Sequence, residues 1–171
     1  MKHTYELSIL GISLCPLTEE TSEKYRLLRN RPDIGKWFTF REQITKIQQK
    51  IWFENYLNNH KEVMFAIFDK YGDFIGANSI YKIEEKHAEY GRLIIDPAYA
   101  GNEYGYKATY VAAIIARDQL KLGKLNLEVY SNNIPAIKTY QKVGFIETGI
   151  LLDTEKQEMK TMSLELENIK S

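Results

Sequence analysis

Cysteine is nearly missing from this 171-residue chain: Cys15 stands alone. No internal disulfide can form, which excludes a small scaffold held by bridges and fits a reducing cytoplasm. Its apolar neighbours make Cys15 a core thiol rather than a nucleophile. Charge of one sign is not in excess, with 23 basic and 23 acidic residues. That balance removes the electrostatic case for nucleic acid or an anionic membrane as partner and leaves room only for a local basic groove. No apolar run approaches the ~18 residues that span a bilayer, and no apolar leader follows Met1-Lys2. Repeats, low-complexity tracts and linkers are absent as well. A soluble, unprocessed, cytoplasmic chain is therefore expected. With 44% hydrophobic residues, it suits one compact domain over 1–171 that buries a real core.

Alternation and punctuation outline the elements. Apolar residues alternate loosely from Tyr5 to Leu17, as in a first strand ending at Pro16. Thr18 caps a helix with Glu19 and Glu20 in its positively polarised first turn, and Asn30-Arg31-Pro32 breaks it. A second helix, roughly Ile44 to Leu57, sets Ile47 with Ile51, Trp52 with Tyr56 and Phe53 with Leu57 at i,i+4 spacing. It is broadly apolar, so one side is available to line a pocket. Val63–Phe68 and Phe74–Ile83 read as an antiparallel pair joined by a turn at 69–73. A strand from about Ala88 to Ile95 stops at Asp96-Pro97, and a glycine-containing loop leads into a long helix around Gly105 to Leu122. Leu125–Tyr130, Phe145–Leu152 and Glu158–Leu166 complete about seven strands. The order implies an α/β (α+β) fold, a mixed and mostly antiparallel sheet with helices on both faces.

The densest chemical signal lies between Leu127 and Phe145. Asn133, Ala136 and Tyr140 fall at helical spacing, and Gly144-Phe145 ends the helix and begins a strand, so one helix face presents an amide and a phenol. Asn133-x-x-Ala136-x-x-x-Tyr140-x-x-x-Gly144-Phe145 resembles the C-terminal signature of the GNAT acyl-CoA N-acyltransferases, and the element order is similar over nearly the whole chain.

That resemblance implies a sheet splayed at its centre, where the strand at Ala88–Ile95 parts from Leu125–Tyr130 to admit acetyl-CoA. Backbone groups of Leu93, Ile94 and Ile95 would pair with the amides of the cofactor arm as in β-augmentation. The pyrophosphate would lie at the start of the next helix, over Gly101, Asn102, Glu103, Tyr104, Gly105, Tyr106 and Lys107. Here the chain departs from the family pattern R/Q-x-x-G-x-G/A: Ala100 replaces the basic or amide residue, Glu103 replaces the first glycine, and only Gly105 matches. A carboxylate at Glu103 repels phosphate unless it points away, while Lys107 can supply positive charge.

For the transfer, the resemblance assigns Tyr140 as general acid toward the departing thiolate. A phenol near ~10 does not fully protonate a thiolate of ~8.5, but a hydrogen bond to sulfur charge still helps. Asn133 would bond the cofactor arm or cap its helix, and Ala136 would face the same ligand. Glu89 is the candidate base, and His87, on the same strand face by period two, is a candidate substrate-binding residue; a water relay is the alternative base for a weakly basic amine. His3 and His60, in polar surroundings, receive no role. No metal is expected.

The acceptor is read from Leu28 to Phe38. Arg29, Asn30, Pro32, Lys36 and Trp37 resemble the R-N-x-P-x-V-R-K-W stretch of the amino-sugar N-acetyltransferases of the pseudaminic acid pathway, with Ile34 for Val and Gly35 for the second Arg. The resemblance implies a nucleotide-linked amino sugar, with Trp37 or Phe38 stacking on a base or sugar and Arg29 pairing with the diphosphate. Ribosomal-protein N-terminal acetyltransferases share a looser version, so a protein α-amine is the second reading. A ligand-sensing module that has lost productive cofactor binding is the non-enzymatic one. A homodimer through the sheet edge is a further expectation.

Overall fold

The computed structural model describes residues 2–170. The expected first strand is instead a hairpin, β1 (Leu7–Ile9) and β2 (Ile12–Pro16). Leu10 and Gly11 both have positive φ, 58° and 76°, the two-residue turn whose twist matches paired strands. Loose alternation hid this turn, and it raises the strand number to eight.

Helix α1 (Glu19–Arg29) starts at Thr18, whose side chain and that of Thr21 cap each other's backbone. A short α2 (Pro32–Gly35) follows, then α3 (Lys46–Leu57), capped in the same reciprocal way by Thr45 and Gln48. In α3 the buried side is Gln49, Phe53 and Tyr56, while Ile47 and Ile51 face solvent. The remaining elements are β3 (Val63–Asp69), β4 (Phe74–Tyr81), β5 (His87–Ile95), α4 (Tyr104–Asp118), β6 (Lys124–Tyr130), α5 (Ile134–Val143), β7 (Ile146–Leu152) and β8 (Glu158–Glu165). The sheet order is β1-β2-β3-β4-β5-β6-β8-β7, antiparallel except between β5 and β6.

Two apolar clusters cover the two faces. On one, Met64, Ala66, Ala77 and Ile94 meet Tyr25 and Leu28 of α1 and Phe53 and Tyr56 of α3. On the other, Phe65, Ile67, Ala88, Tyr90 and Leu127 pack under α4 and α5. Strand β5 contributes to both and carries a bulge: its register against β4 jumps between the Ala77–Ile94 and Ser79–Gly91 pairs. Arg92 sits at that point with a φ of 52°. The extra residue reverses which side the following side chains face, so Tyr90 and Ile94, an even number apart, end on opposite faces. Gly76 is obligatory beside it, since a Cβ there would lie 2.0 Å from the Ile94 carbonyl oxygen.

Two residues expected elsewhere are placed by packing. Cys15 is half-buried rather than a core residue, and burial pushes its thiol up, away from the thiolate. His3 is buried against Phe65, its Nε2 3.1 Å from the Met64 carbonyl, not in polar surroundings.

Candidate active site

Parallel pairing of β5 with β6 lasts for three rungs, His87–Lys124, Ala88–Leu125 and Glu89–Asn126, and then stops. Beyond Glu89 the strands part, because the bulge turns β5 while β6 stays laddered to β8 as far as Tyr130. The wedge opens a cleft of about 700 Å³. Its walls include Leu93, Ile94 and Ile95 on one side and Asn133, Ala136 and Tyr140 on the other. Residues far apart in sequence thus face one another.

Helix α5 sets the second wall. Asn133 caps it, accepting from the Ala136 N–H at 3.4 Å, and Gly144 closes it at a φ of 124°. Asn133 therefore caps the helix and also lines the cleft. Tyr140 is 9% exposed. Its ring is braced edge-on by Tyr90 and Phe145, at centroid distances of 6.3 and 5.9 Å. Burial pushes the phenol up to about 12, so it is protonated throughout the neutral range.

Glu89 stands at the apex, with Lys82 Nζ 3.3 Å away. Burial, then the negative field of Glu89, raises the neighbouring Tyr81 phenol. Glu128, two residues beyond Asn126 on the same strand face, lines the same cleft and has no ion-pair partner among the described residues. Its sequence signal is its place within Leu127-Glu128-Val129, one period-two step beyond the parting point, where it has the look of any solvated strand carboxylate. His87 is exposed and lines an adjoining cavity that shares Tyr81, Lys82, Glu89 and Arg92 with the cleft.

The loop before α4 resolves the conflict over Glu103. This residue opens the helix in the left-handed region, φ 56° and ψ 27°, the conformation that a glycine takes without strain. Its carboxylate forms an ion pair with Lys142 of α5, which also holds it below the usual carboxylate range. Gly101 has a φ of 89°, and the Asn102 amide bonds the Tyr99 carbonyl at 3.1 Å. The N–H groups of Tyr104, Gly105 and Tyr106 precede the first helical bond, Lys107 N–H to Glu103 O at 3.0 Å, and are the donors available to an anion. Lys107 and Tyr106 line a shallow cavity on the outer side of α4 rather than the cleft.

A family model described as "Acetyltransferase (GNAT) domain" matches residues 12–146. The chain belongs to the GNAT acetyltransferase family. Membership makes it an acyltransferase, with acetyl-CoA as donor. The fold is shared by spermidine N-acetyltransferase of Vibrio cholerae in complex with CoA and spermine, at 21% identity, TM-score 0.86, 92% of this chain and 96% of that one. It is shared too by a GCN5-related N-acetyltransferase of Brucella melitensis, at 16% identity, TM-score 0.78, 96% of this chain and 80% of that one. No curated protein sequence matches this GNAT enzyme.

On the acceptor side, Trp37 and Phe38 line the cleft. Asn30 does not: its Oδ1 accepts from the Ile44 N–H and its Nδ2 donates to the Ile44 carbonyl, both at 2.8 Å. The amide is thereby committed to holding the α2–α3 loop against α1, which corrects its expected substrate role. Arg29 lines a second space of about 450 Å³ with Trp52 and Tyr25. Phe38, Thr39 and Arg92 border both this space and the cleft.

Proposed function

We propose that this GNAT enzyme transfers an acetyl group from acetyl-CoA to the primary amine of an amino sugar carried on a nucleotide. One observation carries the acceptor: Arg29 is buried, 5% exposed, and its guanidinium makes no ion pair with a carboxylate among the described residues. It lies over the Phe38 ring at 3.9 Å and donates to the Phe40 carbonyl, and burial lowers its pKa. A buried cation without a counter-ion is costly unless an anion joins it. The space it lines shares Phe38, Thr39 and Arg92 with the cleft and is walled by aromatic rings, which suits a nucleotide whose base stacks and whose diphosphate takes the guanidinium.

Acetyl-CoA supplies an activated thioester carbonyl. The free strand edge at Leu93–Ile95 fits the amides of its arm, and the first-turn N–H groups of α4 fit its pyrophosphate, Glu103 being neutralised by Lys142. Tyr140 holds its proton at the sulfur end of the cleft. At the apex Glu89 and Glu128 are placed to take the proton of the incoming ammonium, which costs about 4.6 kcal/mol to remove at pH 7 from a lysine-like amine of pKa ~10.4.

Glu89 and Glu128 also favour a cationic acceptor, and the Vibrio cholerae enzyme of the same fold is a spermidine acetyltransferase. The deciding measurement is thiol release from acetyl-CoA over panels of nucleotide amino sugars, polyamines and N-terminal peptides. Turnover should concentrate on the first panel, and Arg29→Gln should raise KM for that acceptor roughly 10- to 100-fold while KM for acetyl-CoA holds. Turnover confined to polyamines or peptides rejects the assignment.

A further inference from the structure

The core between the sheet and α4 contains a hydrogen-bonded chain with one direction. Thr109 Oγ1 donates back along the helix to the Gly105 carbonyl at 2.8 Å. Its single proton is thereby used, so the Tyr90 hydroxyl, 3.0 Å away, donates to Thr109. The Tyr90 oxygen in turn accepts from Asn78 Nδ2 at 3.1 Å, and the same amide donates to the Ala108 carbonyl at 3.1 Å. All three side chains are sealed from solvent, at 0–1% exposure. The chain thus runs from Asn78 on β4 through Tyr90 on β5 and Thr109 on α4 to the peptide joining Gly105 to Tyr106.

That peptide carries the Tyr106 N–H, one of the free donors at the helix start. Withdrawing charge through its carbonyl strengthens the N–H as an anion donor, and the chain also pins the first turn to the sheet. The same Tyr90 ring meets the Tyr140 ring edge-on. We propose that Tyr90 is a positioning residue that sets the pyrophosphate grip of α4 through its hydroxyl and the orientation of Tyr140 through its ring. The first half rests on the placement of the pyrophosphate at α4.

The hydroxyl and ring separate by substitution. Tyr90→Phe keeps the ring, and Thr109→Val keeps the shape of Thr109 while cutting the chain next to Gly105. Calorimetry with CoA, which has the pyrophosphate, is compared with the KM of acetyl-pantetheine, which lacks it. Both variants should weaken CoA roughly five- to tenfold and leave the acetyl-pantetheine KM and kcat unchanged; Thr109→Ser should restore CoA affinity. Equal losses with both ligands, or none with CoA, overturn the role of Tyr90. A wild-type enzyme that favours CoA no more than pantetheine rejects instead the phosphate placement beneath it, and the proposal with it. If Tyr90→Phe fails to fold, Thr109→Val and its serine rescue decide alone.

Discussion

Lys142 of α5 grips the carboxylate of Glu103, the residue that begins α4 with left-handed backbone. One contact therefore ties the helix carrying Tyr140 to the proposed phosphate loop. It also removes a negative charge from the place where phosphates are expected.

Breaking that contact from its two ends should have opposite results. Glu103→Gly relieves the positive-φ strain and deletes the carboxylate, so the melting temperature rises and CoA binds more tightly. Lys142→Ala leaves Glu103 free to repel phosphate, and CoA affinity falls. Calorimetry on both variants at low and moderate salt checks this, with the Lys142 effect shrinking as salt rises. Matching changes in the two variants would refute it.

Removing the hydroxyl in Tyr140→Phe should lower kcat roughly 10²-fold, with KM for acetyl-CoA little changed. Since the phenol is pushed up to about 12, its deprotonation contributes no falling limb to kcat below pH ~10. A pH–rate profile of wild type beside the variant provides the reading. An unchanged kcat across pH removes Tyr140 as the acid.

Alkali should unfold the protein through its buried phenols. Burial raises Tyr25, Tyr81 and Tyr90, and pushes Tyr56 and Tyr140 up to about 12. Unfolded phenols titrate near ~10, so between pH ~10 and ~12 the unfolded chain releases protons that the folded one keeps. Their contribution is complete below pH ~10 and is lost as pH rises. Melting temperature should fall across that window, with tyrosinate absorbance from the buried rings appearing only as the chain unfolds. All twelve tyrosines titrating near pH 10 in a still-folded protein would disprove this.

Asn30→Ala should act on stability before catalysis. It strands the Ile44 N–H, while the Ile44 carbonyl keeps the Arg26 guanidinium as donor at 3.0 Å, and the loss costs about 1–3 kcal/mol. Denaturant unfolding should show that loss, and KM for the acceptor should rise only as far as the α2–α3 loop loosens. An unaltered stability with a lost acceptor would restore Asn30 to direct recognition.

Much of the architecture was readable because local rules and tertiary packing agree. Thr18 bounds its helix through its hydroxyl and Gly144 through its freedom to take a positive φ, and the parting of the strand at Ala88–Ile95 from Leu125–Tyr130 is where the resemblance put it. The failures come from interactions with no local signature. Leu10-Gly11 turns the chain although leucine is a poor marker of positive φ, so a hairpin read as a strand. Asn30 looks like a recognition residue until the return of Ile44, 14 residues on, uses its amide. Glu128 has the composition of any solvated strand carboxylate, and only the parting of β5 from β6 gives it a cleft to face. The Tyr90 chain links three elements and cannot be inferred from any one of them.

The single inserted residue at Arg92 sends Tyr90 and Ile94 of one strand into opposite cores. Sliding or releasing the strand on either side disrupts its neighbours on both. The layers above and below the sheet therefore lack independent melting, and heat should take them apart in one cooperative transition.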